Sequence, residues 1–131
     1  MTPAIETLAR LLPTTLPAHT VHGSFEHAPD CDYIYVQGRQ DRLHTFWLLD
    51  NQRPDDARQA AASSPTNWFW LVTSDATPDA ATIALAQTLK AGILSLQTNA
   101  LSICRPSPPR PGIHIRSYDL LRREWKNLSD F

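Results

Sequence analysis

The six residues Trp68 to Thr73 (WFWLVT) constrain this chain more than any other stretch. They are apolar without alternation, and an apolar run of strand length, rich in aromatic and β-branched residues, belongs to a strand covered on both faces. Such a strand needs helices above and below it, so the run predicts a layered α/β arrangement. The residues after it agree. Thr77 caps a helix, Pro78 takes its first position, Ile83, Ala86 and Leu89 lie on one face, and Gly92 supplies a left-handed stop. Ile93 to Gln97 then reads as a second strand, which makes the whole a right-handed parallel crossover unit.

Upstream, Thr2 and Pro3 open a first helix whose apolar stripe is Ile5, Leu8, Ala9 and Leu12; Pro13 ends it and a loop follows. Asp32 to Gln37 (DYIYVQ) and Leu43 to Leu49 (LHTFWLL) flank a polar turn at Gly38 to Arg42 and read as a β-hairpin, with Asp50 at the end of its second strand. Pro54, Asp55 and Asp56 suit the first turn of a short helix through Ala62, because the helix dipole favours acids there. Ile93 to Gln97 and Leu101 to Arg105 alternate around Thr98, Asn99 and Ala100 as a second hairpin. Prolines at 106, 108, 109 and 111 keep residues 106–112 irregular, and Ser117 caps a last helix over 117–128 with Leu120, Leu121, Trp125 and Leu128. The expected fold class is therefore α/β: a mixed sheet flanked by helices, with an appended C-terminal helix. At 131 residues the chain has room for one hydrophobic core, so it is expected to be a single domain with its core over about 1–105.

No apolar run approaches the roughly 20 residues that cross a bilayer, and Met1 to Leu12 is too polar for a signal peptide, which predicts a cytoplasmic protein with no membrane partner. Cys31 and Cys104 have no spacing that suggests a disulfide framework or a paired-cysteine metal site. Charge is unevenly spread. Met1 to Leu89 carries five arginines against ten acids, and Lys90 to Lys126 carries seven basic residues against two acids. Arg105, Arg110, Arg116, Arg122, Arg123 and Lys126 are the candidates for a nucleic-acid surface, since guanidinium forks suit phosphates. Asp119 and Glu124 are interleaved with them, so a solvated face or a protein interface stays open beside that reading.

Two acids stand where hairpin geometry can bring them to one edge: Asp32 (or Asp30) before the first hairpin strand and Asp50 after the second. Converging carboxylates can hold a hard cation such as Mg²⁺, whose retained waters suit phosphodiester hydrolysis; acids at strand ends are also common turn formers. Pro29-Asp30-Cys31-Asp32 before a strand, Asp50-Asn51-Gln52 ending the next, and Asn67 to Ile93 leading into a hairpin resemble the PD-(D/E)XK nuclease-like (restriction-endonuclease-like) superfamily over approximately Met1 to Arg105. The resemblance implies Asp32 (or Asp30) and Asp50 as metal ligands and catalytic acids, and Glu6 as an auxiliary acid. Where the family has a lysine that activates water, this chain has Gln52, followed by Arg53. Glutamine can hydrogen-bond a water but brings no positive charge.

His19, His22 and His27 lie near Cys31 without the spacing of a closed zinc site, and His44 and His114 read as ordinary polar positions. Trp68 and Trp70 fall on one side of their strand, where they either pack in the core or stack nucleobases. Three functional expectations result. One is a Mg²⁺-dependent nuclease acting on DNA, with Gln52 placing the water. A second is a nuclease fold without cleavage that binds nucleic acid or another protein. A third is an inhibitor or immunity-type protein whose acidic front occupies a basic partner. A domain this small is expected to need a homodimer or a larger assembly for site recognition on DNA.

Overall fold

The structure is a computed structural model, and it describes residues 7–8, 10–12, 20–23, 33–37, 43–50, 52–63, 68–109 and 126–127. The run at Trp68–Thr73 is an interior strand, as its composition predicts: all of its residues except Trp68 are buried. In chain order the strands are β1 (Thr20–Gly23), β2 (Tyr33–Gln37), β3 (Leu43–Leu48), β4 (Trp68–Thr73), β5 (Gly92–Leu96), β6 (Leu101–Arg105) and β7 (Lys126–Asn127). Two helices are interposed, α1 (Pro54–Ser63) after β3 and α2 (Ala80–Leu89) after β4. The seven strands form one sheet in the order β6-β5-β4-β3-β2-β1-β7. β3, β4 and β5 are parallel to one another and every other pairing is antiparallel, so the sheet is mixed and helix-flanked, the expected class.

The side chains of β3, β4 and β5 alternate between two apolar layers. On one face Phe46, Trp70, Val72 and Leu94 pack with Leu8 and Leu12, which come from the helical residues near the N-terminus. On the other, Trp47, Phe69, Leu71 and Ile93 pack against Ala57 and Ala61 of α1 and Leu85 and Ala86 of α2. The stripe expected for the first helix is thus half visible, in Leu8 and Leu12, both fully buried.

Several local expectations are corrected. The stretch expected to be loop after the first helix contains β1, whose Val21 pairs with Val36 of β2. Thr77 does not cap α2. Asp79 does, because its side chain accepts from the Thr82 N–H at 2.7 Å, and Pro78 lies before the cap. Gly92 is not the helix stop either: Lys90 takes the left-handed conformation (φ 55°) and returns its N–H to the last turn. Gly92 is instead needed for close packing, since a Cβ there would fall 2.6 Å from Trp70 Cζ3 and 2.7 Å from the Ser107 backbone nitrogen. At the C-terminus, Lys126–Asn127 pair with β1 as a strand, where the apolar spacing predicted the end of a helix over 117–128. The rest of that segment lies outside the described residues, as do Gly38 to Arg42.

Candidate functional site

Because β3, β4 and β5 are parallel, their carboxyl ends meet at one rim of the sheet, and α1 and α2 both begin there. Clefts in open α/β sheets form beyond this rim, where successive connections leave the sheet. β3 and β4 run together to the rim, with Leu49 donating its N–H to the Val72 carbonyl. The chain then turns, and Asp50 Oδ1 accepts the Ser74 N–H at 3.2 Å. The opposite side of the same peptide stretch is held from β5. Gln97 Nε2 donates to the Ser74 carbonyl at 2.6 Å and to Ser95 Oγ at 3.2 Å, while Ser95 Oγ donates to the Asp75 carbonyl at 2.6 Å. Thr73 Oγ1 accepts the Asp75 N–H. Three strands therefore fix the turn that leaves β4, and the carboxylates of Asp50 and Asp75 stand on a rigid rim.

The helix starts add more acid. Asp56 Oδ2 accepts the Arg53 N–H at the head of α1, and Asp79 caps α2. The Thr82 N–H, and after it the Thr82 hydroxyl, hold the Asp79 carboxyl below its ordinary pKa. Asp50, Asp55, Asp56, Asp75 and Asp79 are all exposed, against the exposed Arg53 and Arg58. Arg58 is engaged locally by Asp55 at 2.7 Å, an exposed pair that adds little stability. Between α1 and α2 lies a cleft of 490 Å³, with Leu49 and Leu85 in its apolar lining and Gln52, Arg58, Asp79 and Thr88 in its polar lining. Its size is in the range of small-ligand sites.

Of the residues expected to carry catalysis, Asp50 is on the rim. Gln52 is half-buried in the cleft between the helices, its backbone N–H bonded to the Leu49 carbonyl. Asp32, Asp30 and Glu6 lie outside the described residues. Among the described residues no group of three or more His, Cys, Asp or Glu is arranged to hold a metal. Of the expected phosphate-binding residues, Arg105 ends β6 half-buried, with its Nε buried and without a hydrogen-bond partner. Lys126 is in β7, and Arg110, Arg116, Arg122 and Arg123 fall outside the described residues. Cys104 is exposed on β6; Cys31, His19, His27 and His114 are not described, and His22 enters the sheet in β1.

His44 is not an ordinary polar position. It is buried on the aromatic face, stacked on Trp68 with ring centroids 4.9 Å apart, and its Nδ1 accepts the Trp70 indole N–H at 3.0 Å. That bond fixes the proton of a neutral imidazole on Nε2. The signal was present in the sequence as a histidine in phase with Phe46 on an apolar strand. Ser74, Ser95 and Gln97 of the rim had no such signal, because they meet only when the ends of β4 and β5 are brought side by side.

No protein-family model and no curated protein matches this chain. A solved structure does: the SPO1766 protein of unknown function from Silicibacter pomeroyi, at a TM-score of 0.64 and 14% identity, over 95% of this chain and 84% of that one. At that identity the likeness establishes a shared α/β fold. No helix among the described residues is long and apolar enough to cross a membrane.

Proposed function

We propose that this chain is a binding module, a nuclease-like fold working without cleavage, whose acidic rim at the carboxyl ends of β3, β4 and β5 holds a basic partner protein in the manner of an inhibitor or immunity protein. The observation that carries the reading is the charge of that rim, five exposed carboxylates against two arginines, with Asp50 and Asp75 at a turn braced from three strands and Asp55, Asp56 and Asp79 at the heads of the two helices. A fixed anionic edge repels nucleic-acid phosphates and steers cationic surfaces, and it does so without reorganising. The test is calorimetric titration with an arginine-rich peptide and, separately, a short DNA duplex at low and high salt. The peptide is expected to bind with an affinity that falls steeply with salt and drops about tenfold or more in the triple Asp50→Asn, Asp75→Asn, Asp79→Asn variant. Duplex binding with no peptide binding overturns the reading.

A Mg²⁺-dependent nuclease is the second reading, and one observation favours it. Tyr33 of β2 pairs with Trp47 of β3, which brings the start of β2 beside the end of β3, where Asp50 stands. Carboxylate oxygens are the hard donors Mg²⁺ takes, so Asp50 with Asp32 (or Asp30) would hold the ion and Gln52 would position water. Mg²⁺ or Mn²⁺ binding together with plasmid cleavage, both lost in Asp50→Ala, would favour this reading over the first.

A further inference from the structure

We infer that the open edge of β6 is a homodimer interface, pairing antiparallel with the β6 of a second copy to continue the sheet across a two-fold axis. β6 ends the sheet, and no described residue pairs with its outer side. Ser102, Ile103 and Cys104 are exposed, and Ile103, at 44%, is the most exposed large hydrophobic residue among those described. Natural edge strands are defended by charges, prolines or brevity. Leu101 to Cys104 carries no charge and no proline, whereas the sheet's other end, β7, is two residues long and contains a lysine.

The hydrogen-bond phase of the hairpin sets the register. Gln97 donates its N–H to the Ala100 carbonyl, so that pair is a hydrogen-bonded one. Antiparallel pairs alternate, so Leu96–Leu101 is non-bonded, Ser95–Ser102 bonded and Leu94–Ile103 non-bonded. The backbone groups of Leu101 and Ile103 therefore point away from β5, toward the open edge. A dyad at Ser102 satisfies both residues at once, with Leu101 opposite the partner's Ile103 and Ile103 opposite the partner's Leu101, each pair exchanging two hydrogen bonds.

Side chains and charges fit the same register. Ile103 lies opposite Leu94, and Leu101 packs on the cluster that contains Leu94, so each new Leu–Ile contact extends the apolar face of the sheet. Ser102 meets the partner's Ser102 on the other face. Arg105, the only charge on β6, lies beyond the bulge at the end of the strand, and the two Arg105 residues stand at opposite ends of the pairing, about 20 Å apart along the strands. That separation exceeds the screening length at physiological salt. Between Leu101 and Cys104 the edge is uncharged, and its two-fold self-complementary register, with both Arg105 residues kept apart at the ends, suits a copy of itself. The register shift at Ile93/Leu94 leaves Cys104 as the extra residue, outside the bonded positions of the dyad.

Sedimentation velocity from micromolar to millimolar concentration tests the pairing. The wild type is expected to associate to a dimer with concentration, and Ile103→Lys to raise the dissociation constant at least about tenfold by placing a charge against the partner's Leu101. A second readout is independent of that variant. In a Cys31→Ser, Cys104→Ser background, Ser102→Cys places two thiols across a non-hydrogen-bonded pair, within reach of a disulfide. It is expected to cross-link under mild oxidation far faster than Thr98→Cys in the exposed turn. A wild type that stays monomeric throughout, or Ser102→Cys cross-linking no faster than Thr98→Cys, overturns the proposal. Both can occur while the acidic rim still binds its peptide, so failure here is distinct from failure of the proposed function.

Discussion

The two faces of the sheet are packed by opposite means. On the face that carries Leu8 and Leu12, the strands contribute large flat rings: Phe46 and Trp70 stack with centroids 5.7 Å apart, and His44 joins them. On the other face the strands again supply bulk in Trp47, Phe69 and Leu71, but α1 and α2 meet them largely with alanines. Alanine lets a helix backbone sit low on a sheet, so two helices can lie side by side above three strands, and the gap that remains between them is the cleft. The ring-packed face has the opposite constraint. A buried indole N–H must be paired, and a large ring needs a smooth floor, so Trp70 requires both His44 and Gly92.

The difference predicts opposite sensitivities to volume. The ring-packed face is broken by removal. Trp70→Ala empties the space over Gly92 and deprives His44 Nδ1 of its indole donor, and is expected to cost about 3–5 kcal/mol in urea unfolding. Trp70→Phe keeps most of the ring and loses the N–H, so about 1–3 kcal/mol is expected. A Trp70→Phe loss as large as that of Trp70→Ala would mean that the hydrogen bond, and not the volume, holds this face.

The alanine face is broken by addition. Ala86 is fully buried beneath α2, and Ala86→Leu is expected to cost about 1–3 kcal/mol by lifting the helix from Leu71 and Ile93. Ala62→Leu on the exposed side of α1 adds the same volume where nothing opposes it and should leave the urea midpoint within error. Equal effects from the two variants would contradict the division between the faces.

This division also explains which parts of the fold could be read in advance. β4 was legible because burial on both faces removes alternation, and α1 because proline and acids mark its start. β1 was missed because Thr20–Gly23 is short and half polar, and it is a strand through pairing with β2 rather than through propensity. The ends of α2 were misplaced because two competing signals stood near each: Thr77-Pro78 beside Asp79, and Gly92 beside Lys90. Side-chain capping decided the first. At the second, the glycine was already required beneath Trp70. Of the candidate site, Asp50, Gln52, Asp55 and Asp56 stood out in the sequence, whereas Ser74, Ser95 and Gln97 converge through strand register, which no local spacing records.

A smaller loss than either core variant gives is expected at the rim, where both faces end and side-chain hydrogen bonds replace packing. Asp79 caps α2 through the Thr82 N–H, and the same bond holds its carboxyl below the ordinary value. A carboxyl whose folded pKa is lowered contributes stability above the unfolded value, near pH 4, and loses it as the pH falls through the folded value. Asp79→Ala should therefore lower the melting temperature by a few degrees at pH 7, and the gap to wild type should close as acid protonates the wild-type cap. Asp79→Asn keeps an acceptor oxygen that does not titrate, so its gap to wild type should be smaller at pH 7 and should shrink or reverse in acid. Melting curves of the three proteins at pH 7 and pH 3 separate the hydrogen bond from the charge. A gap between wild type and Asp79→Ala that is unchanged by pH would mean that something other than the carboxylate cap stabilises the head of α2.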